Sequence, residues 1–126
     1  MNHALLYIED DDNNISLVKA LLKRRPQIEL QVAKNGRDGI QAAIDSQPAL
    51  ILLDNRLPDA TGGEILGELA SRPATAAIPV VVLSSDTDDV IAQLVADGAI
   101  EAVAEPFDIH KFIAMLDRYF PFLDDF

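Results

Sequence analysis

The chain contains no cysteine. Disulfides and thiolate metal centres are therefore excluded. Basic residues are scarce: ten Lys and Arg stand against 21 Asp and Glu, a net charge of −11. This argues against a nucleic-acid partner, because Lys and Arg must neutralise the phosphates, and against an anionic membrane surface. A basic protein partner or a divalent cation fits the charge, and so does mere solubility. Long hydrophobic runs are missing. The longest, Ala76 to Leu83, is too short to span a membrane and contains Pro79. Met1-Asn2-His3 carries no basic segment ahead of an apolar one, so no signal peptide is visible and a cytoplasmic chain is expected. Aromatics are rare before the end: six of the seven lie from Phe107 onward.

Against these absences stands one stretch, Leu50-Ile51-Leu52-Leu53-Asp54. Four apolar residues in a row read as a strand buried on both faces. It ends on a carboxylate, and a short polar connection with Pro58 and Gly62-Gly63 follows. Asp54 is thereby placed at the carboxyl end of a strand, the edge where open α/β sheets bind their ligands.

The rest of the 126 residues repeats a strand-then-helix unit five times. Ala4–Ile8 is a first buried strand, running into Glu9-Asp10-Asp11-Asp12. Ile15, Val18, Leu21 and Leu22 recur at helical spacing, with Asn13 or Asn14 as N-cap. Lys23-Arg24-Arg25 read as a solvated last turn, and Pro26 stops the helix. Ile28 to Ala33 alternates like an edge strand, and Asn35-Gly36 forms a turn. A second helix covers about Arg37 to Ser46, with Ile40, Ala43 and Ile44 inward. A third runs from Gly63 to Ala70, its start weakened by Gly62-Gly63. Ile78 to Leu83 is a fourth strand, ending on Ser84-Ser85. Asp86 or Thr87 caps a fourth helix with Val90, Ile91, Leu94 and Val95 on its apolar face, and Gly98 is its C′ residue. Ile100 to Ala104 is a fifth strand. Asp108 caps a last helix carrying Ile109, Phe112, Ile113, Leu116 and Phe120.

Alternating strands and helices imply a doubly wound parallel sheet, helices on both faces, as a single domain over residues 1–126. In the flavodoxin-like α/β order 2-1-3-4-5 the switch point lies between strands one and three. Those strands end on Glu9-Asp10 and on Asp54. One acid at a strand end is commonly just solvated. Three converging carboxylates make an oxygen-rich site suited to Mg²⁺, which keeps several waters.

Together, Tyr7-Ile8-Glu9-Asp10-Asp11, Leu52 to Pro58 with Gly62 beyond, Ile78-Pro79-Val80 leading to Ser84, Gly98-Ala99 and Pro106-Phe107 resemble the receiver domain of two-component response regulators. The resemblance covers nearly the whole chain. It implies that Asp54 accepts a phosphoryl group from a histidine kinase or histidine phosphotransfer protein. It implies that Glu9, Asp10, Asp54 and the backbone carbonyl of Arg56 hold Mg²⁺, and that Ser84 contacts the phosphoryl oxygens. It also implies output through helix four, strand five and helix five, to an effector or to a second copy.

Three positions depart from the family pattern. Glu105 stands where the family has a lysine, Ala102 where it usually has a switching aromatic, and Thr61 where it usually has an acid. The expected consequence is that Glu105 swings outward and pairs with Arg56, which replaces the missing cation; the other route keeps Glu105 inside as a ligand or proton-sharing neighbour of Asp54. Two other functions compete. One is a receiver-like scaffold that works without phosphate, favoured by Glu105 and Ala102. The other is a phosphohydrolase of the haloacid dehalogenase type, which would need an acid two residues beyond the nucleophile, where Arg56 stands. A flavodoxin's phosphate loop is incompatible with Glu9 to Asp12. His3 and His110 read as surface residues. Phe122 and Phe126 are available to a partner or a second copy, or belong to a frayed end.

Overall fold

The computed structural model describes residues 2–105 and 108–121. The strands are β1 (Ala4–Ile8), β2 (Glu29–Ala33), β3 (Leu50–Asp54), β4 (Val80–Ser84) and β5 (Glu101–Ala104). The helices are α1 (Asp12–Leu21), α2 (Gly36–Ser46), α3 (Gly62–Ala70), α4 (Asp88–Ala96) and α5 (Ile109–Tyr119). A 3₁₀ turn over Leu22–Arg24 extends α1. All strands are parallel, as the alternation implied, and they stand in the flavodoxin-like order β2-β1-β3-β4-β5.

The central strands are apolar up to their carboxyl ends because both faces are covered. Leu5, Tyr7, Leu50, Leu52, Val81 and Leu83 pack with α1 and α5, against Val18, Phe112 and Leu116. The alternate residues Leu6, Ile8, Ile51, Leu53 and Val82 pack with α2, α3 and α4, against Ala43, Ile65, Leu66 and Leu94. Each layer buries large aliphatic side chains, and that burial dominates the stability. Ile8 pairs with Leu53 in register, so Glu9 and Asp54 emerge together one step beyond.

Several local expectations are corrected. The cap of α1 is Asp11, whose carboxylate accepts from the amides of Asn13 and Asn14, so neither asparagine caps it. Asn35 is the side-chain N-cap of α2, and Gly36 is its first residue rather than part of a turn. The weak glycine start of α3 is reinforced by a reciprocal capping box between Thr61 and Glu64. Thr87 rather than Asp86 holds the N-cap position of α4, without a side-chain bond. On α4 only Leu94 is buried, while Val90, Val95 and the following Ile100 are exposed. Arg25 does not dissolve into solvent; it forks onto both carboxylate oxygens of Asp117, tying the end of α1 to α5. His3 is half-buried, and His110 is exposed as expected. Gly98 takes φ +126 after α4, as a C′ glycine should. Pro106, Phe107, Phe122 and Phe126 lie outside the described residues.

Candidate functional site

The carboxyl ends of β1 and β3 deliver Glu9, Asp10 and Asp54 to one place. One ligand oxygen from each lies within 4.8 Å of the others. Their exposure is graded: Glu9 is buried, Asp54 half-buried and Asp10 exposed. Hard oxygen donors at this spacing suit a small divalent cation, with water completing an octahedron, so the residues fit the Mg²⁺ that the family resemblance implies.

Glu9 is 1% exposed. Its Oε1 accepts from the Tyr7 hydroxyl at 3.1 Å and from Asn14 Nδ2 at 3.0 Å. Its Oε2 accepts from the backbone amides of Asp10 and Asp11 at 3.1 and 3.3 Å. Neutral donors thus compensate a buried acid. Burial, and then the charge of Glu9 beside it, push the Tyr7 phenol well above its usual range.

Asp54 is pushed up to about 7, first by burial and then by the Glu9 carboxylate beside it, which also hydrogen-bonds it; the Arg56 backbone N–H pulls the other way. Arg56 forms an isolated antiparallel bridge with Thr61, made by Gly62 N donating to Asn55 O at 2.7 Å and Leu57 N to Ala60 O at 3.1 Å. Neither bond uses the N–H or C=O of Arg56 itself, and its N–H reaches Asp54.

A second node stands beside the first, around Asp86. Its carboxylate accepts from Asn55 Nδ2 at 2.6 Å, from the Ser84 hydroxyl at 2.7 Å and from the Arg56 guanidinium. These three donors, Arg56 foremost, hold Asp86 down at about 2. The pairing of Arg56 with Glu105 is therefore corrected. The guanidinium goes to an acid whose side chain is only 9% exposed, where a charge most needs a partner. Glu105 stays at the pocket edge, its amide bonded to Ser84 O at 2.8 Å. Burial, and then Glu9 and Asp11, raise its pKa. Its charge reaches Asp54, but its carboxylate is not one of the clustered ligand groups. Ala102 is half-buried on the α2–α3–α4 side of the sheet, opposite Val82.

Sequence reading placed Asp86 only as a possible helix cap. An available signal was its position two residues after Ser84, close to Asn55 and Arg56 across the strand ends. Gly62 also belongs to this node. A Cβ there would lie 2.6 Å from Asn55 Oδ1 and 3.1 Å from Asn55 Cα, so the close approach holding Asn55 toward Asp86 needs glycine.

The family model for the response regulator receiver domain matches residues 5–117. The chain belongs to that family. Receivers serve two-component signalling, and phosphorylation on an aspartate is typical of them. The nitrate/nitrite response regulator protein NarL of Escherichia coli is 34% identical over 110 residues, covering 85% of this chain and 51% of NarL. The chain spans a quarter to about half of the curated relatives it matches. The receiver domain of a Pseudomonas aeruginosa sensor histidine kinase, with magnesium coordinated in its active-site cleft, superposes with a TM-score of 0.85 at 20% identity, covering 96% of this chain and 99% of that one. The phosphorylated cyanobacterial phytochrome response regulator RcpA superposes at 0.79 and 25% identity, covering 98% and 94%. Among the described residues no helix is long and apolar enough to cross a membrane.

Proposed function

We propose that this receiver takes a phosphoryl group onto Asp54 from a histidine kinase or histidine phosphotransfer protein, and that residues 1–126 work as one cytoplasmic signalling domain. The observation that carries the reading is the Asp54 carboxylate at the end of β3, with Glu9 and Asp10 ligand atoms within 4.8 Å. One Asp54 oxygen attacks the phosphorus of the donor phosphohistidine. The P–N bond breaks, its electron pair stays on the imidazole nitrogen, and an acyl phosphate forms on Asp54. The carboxylates of Glu9, Asp10 and Asp54, with the carbonyl of Arg56, would hold Mg²⁺. When bound, the ion supplies positive charge against the carboxylates and the transferring oxygens. Lowering the proton affinity of Asp54 is part of that, since its pKa near 7 leaves much of it protonated at neutral pH.

Ser84 turns its hydroxyl from Asp86 to a phosphoryl oxygen. Output follows through α4, β5 and α5. Support comes from the exposed Val90 and Val95 of α4 and Ile109 of α5, and from an open groove of about 510 Å³ along β5 and α5 whose lining mixes Ala102, Ala104 and Ala114 with Glu101, Lys111 and Arg118. Exposed apolar groups beside charged ones suit a protein contact.

The test is incubation with Mg²⁺ and a small acyl-phosphate donor, read by intact mass. One stoichiometric phosphoryl adduct on the wild type and none on Asp54→Asn is the expected result. No adduct at all supports the phosphate-independent scaffold, and sustained release of phosphate supports a hydrolase.

A further inference from the structure

We propose that Tyr7 is a positioning residue for the cation site, its hydroxyl acting with the Asn14 amide to hold the Glu9 carboxylate where a divalent cation needs it. The inference rests on the reading of Glu9, Asp10 and Asp54 as that site.

Tyr7 and Glu9 lie two residues apart along β1 and its continuation, so they share a face of the sheet. Tyr7 is fully buried. The other fully buried strand residues on that face, Leu5, Leu50, Leu52, Val81 and Leu83, are aliphatic. The layer therefore has no general use for a phenol, and a phenylalanine ring would fill the same space. What the hydroxyl adds is one bond, to Glu9 Oε1 at 3.1 Å.

Asn14 Nδ2 meets the same oxygen from α1 at 3.0 Å. The other oxygen is held by the amides of Asp10 and Asp11. Among the described residues, no ion pair includes Glu9. Glutamate carries one rotatable bond more than aspartate, and freezing it costs entropy. Two neutral donors on Oε1 oppose that freedom. Partners of this kind, one bond removed from a metal, orient its ligands and typically change affinity by about 10- to 100-fold.

The test is Mg²⁺ titration followed by amide shifts, with beryllofluoride absent, on wild type, Tyr7→Phe, Asn14→Ala, Glu9→Asp and the double variant Tyr7→Phe with Glu9→Asp. Tyr7→Phe should weaken Mg²⁺ about tenfold, and Asn14→Ala should weaken it in the same direction. In the Glu9→Asp background the Tyr7→Phe change should matter by less than about twofold, because the shorter acid falls out of reach of the hydroxyl. Wild-type affinity in Tyr7→Phe, or an equal loss in both backgrounds, overturns the proposal. If Tyr7→Phe does not fold, Asn14→Ala decides: unchanged affinity overturns it. A wild type whose Asp10 and Asp54 amides ignore millimolar Mg²⁺ overturns the cation site itself, whereas normal wild-type binding with an indifferent Tyr7→Phe overturns only the role of Tyr7.

Discussion

The hydroxyl of Ser84 donates to Asp86 Oδ2 at 2.7 Å, and the Asp86 amide donates back to Ser84 Oγ at 3.0 Å. The serine that the receiver resemblance assigns to the phosphoryl group is thus already engaged. Its partner is held in turn by Asn55 and Arg56. Any move of Ser84 toward Asp54 must break a charge-assisted bond.

Removing that competitor should ease the move. Asp86→Ala is expected to tighten beryllofluoride binding about tenfold, the equivalent of ~1.4 kcal/mol and within the usual worth of a hydrogen bond to a charged group. Titration followed at the Ser84 amide measures it. Equal or weaker binding in the variant would show that the Asp86 node assists the bound state instead.

Stability should fall as pH rises from about 4 to about 7. The Asp54 proton is held up to about pH 7 in the folded chain, against an ordinary value of 3.8. Between those limits the folded state binds a proton that the unfolded state has lost, so raising pH favours unfolding. Glu105, also raised, adds in the same sense. Asp86, held near 2, contributes stability that is lost only in stronger acid. Thermal midpoints measured in chelator from pH 5 to 8 should decline for wild type and flatten for Asp54→Asn. A wild-type midpoint that climbs over this range contradicts the burial assigned to Asp54.

Glu105→Lys should restore a cation to the pocket edge. Glu105 now raises Asp54 by its charge, and a lysine would reverse the sign of that effect. Amide shift changes on adding beryllofluoride should extend further into α4 in the variant than in wild type. A full response already present in wild type, with no gain in the variant, would dismiss this role for Glu105.

Two glycines of α3 should respond oppositely to alanine. Gly67 has nothing within 4 Å of a built Cβ, so Gly67→Ala should stabilise by roughly 0.5–1 kcal/mol through backbone entropy. At Gly62 the same change meets Asn55 side chain and backbone and should destabilise by about 1–3 kcal/mol, releasing Asn55 from Asp86. Denaturant midpoints of the two variants, compared with wild type, check both signs.

Much of this protein could be read along the chain. Apolar runs at Leu5–Ile8, Leu50–Leu53 and Val80–Leu83 specify strands buried on two faces, because no other short element hides every side chain. Alternation with amphipathic segments then implies a parallel sheet covered on both faces, and the abrupt ends of those runs place Glu9, Asp10, Asp54 and Ser84 at a single edge. These are local patterns acting through a regular lattice.

What tertiary structure alone decided is the pairing of the polar groups. Arg56 pairs with Asp86, which Asn55 and Ser84 also hold, and that juxtaposition is a property of the packed ends of β3 and β4. The donors that hold Glu9 are Tyr7 on β1, Asn14 on α1 and the amides of Asp10 and Asp11, and Tyr7 is among them only because a strand repeats every two residues. Side-chain hydrogen bonds are short-ranged and directional, so their partners are set by ångström-scale geometry that residue order does not encode in any single window.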